Sequence, residues 1–381
     1  MTQELSGLFD GLVELGGPDM ADRLEQAPAK RGVLALLGQD GQPILLLTAA
    51  DLRARLKGRL RQAGDDQPRT KMPDLKAVTA RVGWKLAFSH FQADLHFLQL
   101  ARRLWGDSYA DLLAWKPPRF VHCDARQEFP RLARVEEFSQ PGVYLGPFQS
   151  AAATDRFIEV LVDAFDLCRD PRILVRAPRG EPCVYGELGR CLRVCDGKAP
   201  LDQYRQAVRR AVDYAAGRRE EYRHELAERM RQAAAKLDFE QAAAMKSRLE
   251  RLGELDSAAL RHVGTLERFR YILIQPGPKR SCALSFLATP HDCQAGPELD
   301  YPPAQRQLQD LLERMDRLGR EAPGRACDPW LMGLVSHYLF SSPQRAGLIV
   351  RREPGLGSSE LSELIEQSAD RLRLKAPRRA S

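Results

Sequence analysis

Half of the chain's eight cysteines, Cys168, Cys183, Cys191 and Cys195, fall within 28 residues, the last three in the string P-C-V-Y-G-E-L-G-R-C-L-R-V-C. Nothing else in the chain restricts its fold as tightly. Thiolates at these spacings can converge on one soft metal centre, and the intervening Gly and Pro supply the turns that let the backbone do so. The residues alone leave two centres open, an iron–sulfur cluster or zinc, with buried free cysteines as the plain alternative.

The 381 residues suffice for two or three domains with cores of their own. There is no apolar run of the roughly eighteen residues that a transmembrane helix needs. Met1 to Leu8 carries Glu4 and lacks a basic start and long apolar core, so no secretory leader is expected. The expected location is cytoplasmic, without membrane attachment, where clustered cysteines point to a metal rather than to disulfides. The balance of 58 basic to 51 acidic residues, net +7, suits either a solvated surface or a polyanion partner; placement must decide.

Along the chain, residues 1–29 read as a loose leader with one weak helix. Val33 to Leu37 and Ile44 to Leu47 read as two strands around an Asp40-Gly41 turn. Thr48 is the expected cap of a helix over 49–61 that carries Leu52, Leu56 and Leu60 on one face. Its other faces hold Arg53, Arg55, Lys57, Arg59 and Arg61. Further on, 83–88 reads as a strand, 93–104 as an amphipathic helix, 120–122 and 131–135 as edge strands, 144–148 as a turn and 151–165 as a helix. Helices dominate from 201 to 255. Two strands, 270–274 and 283–287, precede a helix over 305–320 with Leu308, Leu311, Leu312, Met315 and Leu318 on one face. A buried helix over 329–340, a strand over 348–351, a polar helix over 358–373 and a basic tail complete the reading.

Two strings carry a family resemblance. The first is V-Y-L-G-P-F-Q-S-A-A-A-T-D-R-F-I-E-V-L-V-D-A-F-D-L-C, followed by P-C-V-Y-G-E-L-G-R-C-L-R-V-C-D-G; the second is L-A-E-R-M-R-Q-A-A-A-K-L-D-F-E-Q-A-A-A-M-K-S-R-L. The first resembles the UvrC family of excinucleases, which act in nucleotide excision repair, and the second resembles the UVR motif of that family. The resemblance implies a [4Fe-4S] cluster on Cys168, Cys183, Cys191 and Cys195, with zinc as the alternative. It also implies that the hairpin docks a UvrB-like excinuclease partner, with Leu226, Met230, Leu237, Phe239, Ala242, Met245 and Leu249 as the candidate contacts. Its small alanines suit close helix packing, and a lone hairpin buries little surface. An ordinary antiparallel pair in a core is the plain reading.

In that family a GIY-YIG endonuclease domain precedes the cysteines and needs a tyrosine, an arginine, a metal-binding glutamate and an asparagine. Here Arg55 stands at the arginine position, Leu45 at the second tyrosine, Gln99 at the glutamate and Ala110 at the asparagine. Leucine moves no proton, and a neutral amide is a poor Mg²⁺ ligand beside a carboxylate. The expectation is a nuclease-like fold without incision chemistry, binding Mg²⁺ only if Asp94, Asp107, Tyr109 or Asp111 has taken over. The basic helix is a candidate phosphate-binding surface. Residues 265–355 read as a degenerate RNase H-like remnant, and His291-Asp292-Cys293 as a turn with a core cysteine.

The resulting fold class is multi-domain α+β. It comprises a leader (1–29), a small GIY-YIG-like mixed sheet with helices (30–120), a cysteine-bound connector (121–200), a helical region with the UVR-like hairpin (201–256), the remnant (265–355), and a polar helix with a basic tail (356–381). Three functions are carried forward. The first is a repair-related protein binding DNA and a UvrB-like excinuclease partner, and the second an active excision endonuclease with relocated groups. The third is a metal-cluster scaffold or sensor with no DNA role.

Overall fold

The computed structural model describes residues 5, 7–15, 20–60, 75–320 and 325–376, which form a mixed α and β architecture with three antiparallel sheets. The first unit contains β1 (Gly11–Glu14), α1 (Met20–Glu25), β2 (Gly32–Leu37), β3 (Pro43–Ala49), α2 (Leu52–Leu60), β4 (Arg81–Leu86) and α3 (His90–Trp105). Its strand order is β1-β4-β2-β3. β2 is buried at every residue because helices cover both faces. Val33, Ala35 and Leu37 point into the core shared with α3, while Leu34 and Leu36 meet Leu52, Leu56 and Leu60 of α2. Three expectations are corrected. The leader contributes β1, paired with β4. The sheet expected as mixed is antiparallel at every registered pair. Asp51, not Thr48, caps α2, accepting the Ala54 amide at 2.9 Å.

The middle unit contains β5 (Arg119–Cys123), β6 (Ala133–Val135), β7 (Val143–Phe148), α4 (Ala151–Ala164), α5 (Pro171–Leu174), α6 (Val184–Glu187), α7 (Leu201–Ala215), α8 (Arg219–Ala235), α9 (Phe239–Gly253) and β8 (Gly264–Thr265). Its sheet runs β6-β5-β7-β8. The segment read as a turn at 144–148 is the central strand β7. Tyr144, Leu145 and Phe148 are buried, and a Cβ on Gly146 would sit 2.7 Å from the Phe120 ring. The glycine therefore serves close packing rather than a change of direction.

The third unit contains β9 (Tyr271–Pro276), β10 (Cys282–Ala288), β11 (Cys293–Ala295), β12 (Leu299–Asp300), α10 (Gln305–Arg320), α11 (Pro329–Leu339), β13 (Leu348–Arg351) and α12 (Ser358–Gln367). Its sheet runs β11-β10-β9-β13, with β12 on β10. The five apolar residues of α10 are buried against one face, beside Leu361 and Ile365 of α12. The other face packs onto the first unit: the Phe91 ring lies 5.2 Å from both Phe286 and Tyr338. Tyr338 donates to Asp94 at 2.6 Å, and Arg102 pairs with Asp328 at 2.6 Å. The first and third units thus share one core. Cys293 is buried beside a turn in which Thr289 N–H donates to the Asp292 carbonyl at 2.8 Å, as expected of a core cysteine. No helix among the described residues is long and apolar enough to cross a membrane.

Candidate functional site

The cysteine joint begins at the end of α4. Ser150 caps this helix, accepting the Ala153 amide at 3.2 Å, and its apolar face buries Phe157, Val160 and Leu161. Asp166, at φ 53°, then turns the chain toward Cys168. Leu192 N–H donates to the Asp166 carbonyl at 3.1 Å, and Gly180 N–H to the Cys195 carbonyl at 2.7 Å. These two bonds fold the loop back on itself. Cys168, Cys191 and Cys195 line a cavity of about 10 Å³ with Leu174 and Tyr204. Cys183 opens α6 and adds, with the other two, to the field at Cys168.

All four thiols are free. Burial first, then the neighbouring thiols, pushes the Cys168 thiol up to about 11. Burial likewise raises Cys191 and Cys195. The donor chemistry suits a soft metal, but the packing shown does not hold one. Among the described residues no group of three or more His, Cys, Asp or Glu is arranged around an ion. A cavity of about 10 Å³ is at the lower limit for a single water.

The hairpin is fixed to this joint. Arg248 of α9 pairs with Asp166 at 2.8 Å and Arg251 with Asp163 at 2.6 Å, while Phe165 stacks on Tyr222 at 4.5 Å. Leu226 is buried in the middle core and presents no surface to a partner; Met245 and Leu249 pack against the same core. Met230 and Ala242 are half-buried. At the tip Leu237 takes φ 61° and Asp238 accepts the Gln241 amide at 3.0 Å. Leu237 and Phe239 there are 73% and 67% exposed. The candidate contact set therefore divides into a buried base and an apolar tip.

The residues that the resemblance sets at nuclease positions stand on separate elements. Arg55 is exposed on α2, which packs on the Leu34 and Leu36 face of the sheet; Gln99 is exposed on α3, which packs on the opposite face. Leu45 is half-buried on β3 opposite Leu36, and Ala110 lies in a 3₁₀ segment, Gly106–Leu112. Of the cations on α2, Arg53 donates to the Ala27 carbonyl at 2.7 Å and shares Glu25 with Lys57. Arg59 is half-buried and its Nε has no hydrogen-bond partner; Arg61 lies outside the described residues. The phosphate-binding stripe read from the sequence is thus partly neutralised within its own unit. Asp94 is taken by Tyr338 and by Arg345 at 3.6 Å, Tyr109 carries Arg102 over its ring at 5.1 Å, and Asp107 and Asp111 are exposed.

Sequence reasoning missed what surrounds Gln99. It lines a cleft of about 410 Å³ with Lys85, Arg102 and Arg103, so the residue that the resemblance sets at the glutamate position lies beside basic side chains. Arg102 and Arg103 were legible as the basic end of a helix; Lys85 needed the β4 register. Close by, burial and then Lys85 lower His96 to about 4.

Comparison with known proteins places these features. A family profile described as "UvrC/Cho excinuclease, middle domain" matches residues 120–214, which cover β5 to β7 of the middle sheet, the clustered cysteines and most of α7. UvrABC system protein C of Moorella thermoacetica is 28% identical over 62% of this chain and 38% of its own length. The protein of the same name from Nitrobacter winogradskyi is 29% identical over 67% and 37%. That from Anaeromyxobacter dehalogenans is 25% identical over 94% and 48%. The chain thus spans less than half the length of these relatives. No solved structure matches it.

Proposed function

The chain belongs to the UvrC family, and on that footing we propose that it serves nucleotide excision repair by binding DNA and a UvrB-like partner, without incising. The observation that carries this reading is the Gln99 cleft. Lys85, Arg102 and Arg103 line the place where the family's metal carboxylate is expected. Arg102 is already paired with Asp328, and the remaining cations, Lys85 and Arg103, disfavour Mg²⁺ there and favour an anion such as phosphate. The relocated-endonuclease reading loses Asp94 and Tyr109, which are engaged by the third unit and by Arg102. The exposed Leu237 and Phe239 supply an apolar tip for the partner.

The four thiols are proposed to carry a soft metal in an arrangement other than the packed one described above. By the resemblance this is an iron–sulfur cluster, with zinc as the alternative. Protein purified without oxygen should absorb in the visible and lose that absorbance on Cys168→Ser; a colourless, zinc-loaded protein would sink the cluster.

The central test is a nicking assay on damaged duplex with Mg²⁺ and with Mn²⁺, alongside DNA binding across a salt series. No nicking is expected, with affinity falling as salt rises. Metal-dependent nicking abolished by Arg55→Ala would overturn the claim that the chain does not incise. Salt-independent or absent DNA binding would favour a scaffold without a DNA role.

A further inference from the structure

A second cleft, of about 280 Å³, lies where the three units meet. One wall is the linker Trp115 to Pro118 with Arg119 at the start of β5, another is Phe148 and Gln149 at the end of β7, and the third is α11 with Gly333, Ser336 and His337, followed by Phe340. The linker is pressed onto α11. A Cβ on Gly333 would sit 2.4 Å from the Lys116 carbonyl, and Trp115 Nε1 donates to the Trp330 carbonyl at 3.0 Å.

The lining combines three kinds of group. Lys116 is exposed, with its ammonium 5.7 Å from the Trp330 ring. Arg119 is half-buried and meets Glu136 at 3.4 Å. Phe340 is half-buried, edge-on to His262 at 5.6 Å. Ser336, 5% exposed, lines the cleft and its hydroxyl has no hydrogen-bond partner. A buried hydroxyl without a partner costs free energy unless something completes it. Cations beside an aromatic face are what an unstacked nucleotide requires, and a cleft near 300 Å³ is at the small end of ligand sites.

We propose that this cleft binds one unstacked nucleotide, with its phosphate on Lys116 and Arg119, its base against Phe340, and Ser336 and Gln149 as hydrogen-bonding groups. The inference rests on the DNA-binding reading and adds a site that the nuclease resemblance does not supply. The nucleotide can come from a single strand or be free.

The test uses the full chain. Fluorescence anisotropy follows a labelled short oligothymidylate, with thymidine monophosphate as competitor, against Lys116→Gln/Arg119→Gln and Phe340→Ala. The oligonucleotide's salt slope should become shallower by about 0.7 for each phosphate that is no longer neutralised. Phe340→Ala should weaken binding at least about fivefold. Because Phe340→Ala also loosens packing, photocrosslinking of a 4-thiothymidine oligonucleotide to the unmodified chain gives an independent readout. Crosslinks mapping to 115–119 or 333–341 support the site as a strand site; their absence with competition by the monophosphate assigns it to free nucleotides. Crosslinks confined to other segments, or unchanged affinity and slope in the double variant, overturn it while leaving DNA binding by the chain intact. Failure of the unmodified chain to bind any DNA refutes the broader reading instead.

Discussion

Gly333 shows how one residue is decided by two opposed effects. In the interior of an exposed helix, glycine to alanine gains about 1 kcal/mol. Here the added carbon would lie 2.4 Å from a backbone carbonyl of the linker, which cannot swing aside. Overpacking costs about 1–3 kcal/mol, so Gly333→Ala should lower the urea midpoint despite its better helix propensity. A rise would mean that the linker is not pressed onto α11. His96 and His262 carry a second prediction. Burial, with Lys85 near the first and Arg261 near the second, holds both near 4 instead of 6.5. Both are neutral when folded, so the unfolded chain takes up protons first as pH falls. Their contribution is complete above about 6.5 and is lost as pH drops toward 4. The urea midpoint should fall across that window, and His96→Gln with His262→Gln should flatten the fall. An equally steep fall in the double variant would exclude them as its cause.

Among the elements, the α8–α9 hairpin separates stability from recognition. Leu226 is 1% exposed in the middle core, so Leu226→Ala should cost about 2–5 kcal/mol and be seen in thermal unfolding. Phe239 at the tip buries little, so Phe239→Asp should leave the melting temperature nearly unchanged. The same substitution should abolish capture of a UvrB-like protein in a pull-down; retained capture would move the docking surface elsewhere. The sequence marked this hairpin through its alanines and the Asp238 turn, but seven apolar positions looked equivalent in it. The middle core claimed Leu226 and left Leu237 and Phe239 outside, a distinction that helical periodicity cannot make. The strand β7 shows the reverse failure. Gly146-Pro147 reads as punctuation, yet its glycine is there because Phe120 on the neighbouring strand needs the space.

For the whole molecule, the shared core of the first and third units makes them cooperative. Removing residues beyond 265 takes Phe286 and Tyr338 from Phe91, along with the Arg102 partner Asp328. Amide hydrogens of β2 should then exchange much faster in hydrogen-exchange mass spectrometry, while α4 and α7 of the middle unit keep their protection. Unchanged protection in β2 would show that the first unit stands alone. The residue string by itself determined the cysteine spacing, the helical hairpin and the apolar faces of α2 and α10, because each depends on residue type or on a short local period. Tertiary structure alone decided that α2 and α3 lie on opposite faces of the sheet, that cations surround Gln99, that Glu25 engages Arg53 and Lys57, and that three units close a cleft around Ser336. Each joins residues distant in the chain, where burial and side-chain partners follow from how the layers pack rather than from neighbours along the backbone.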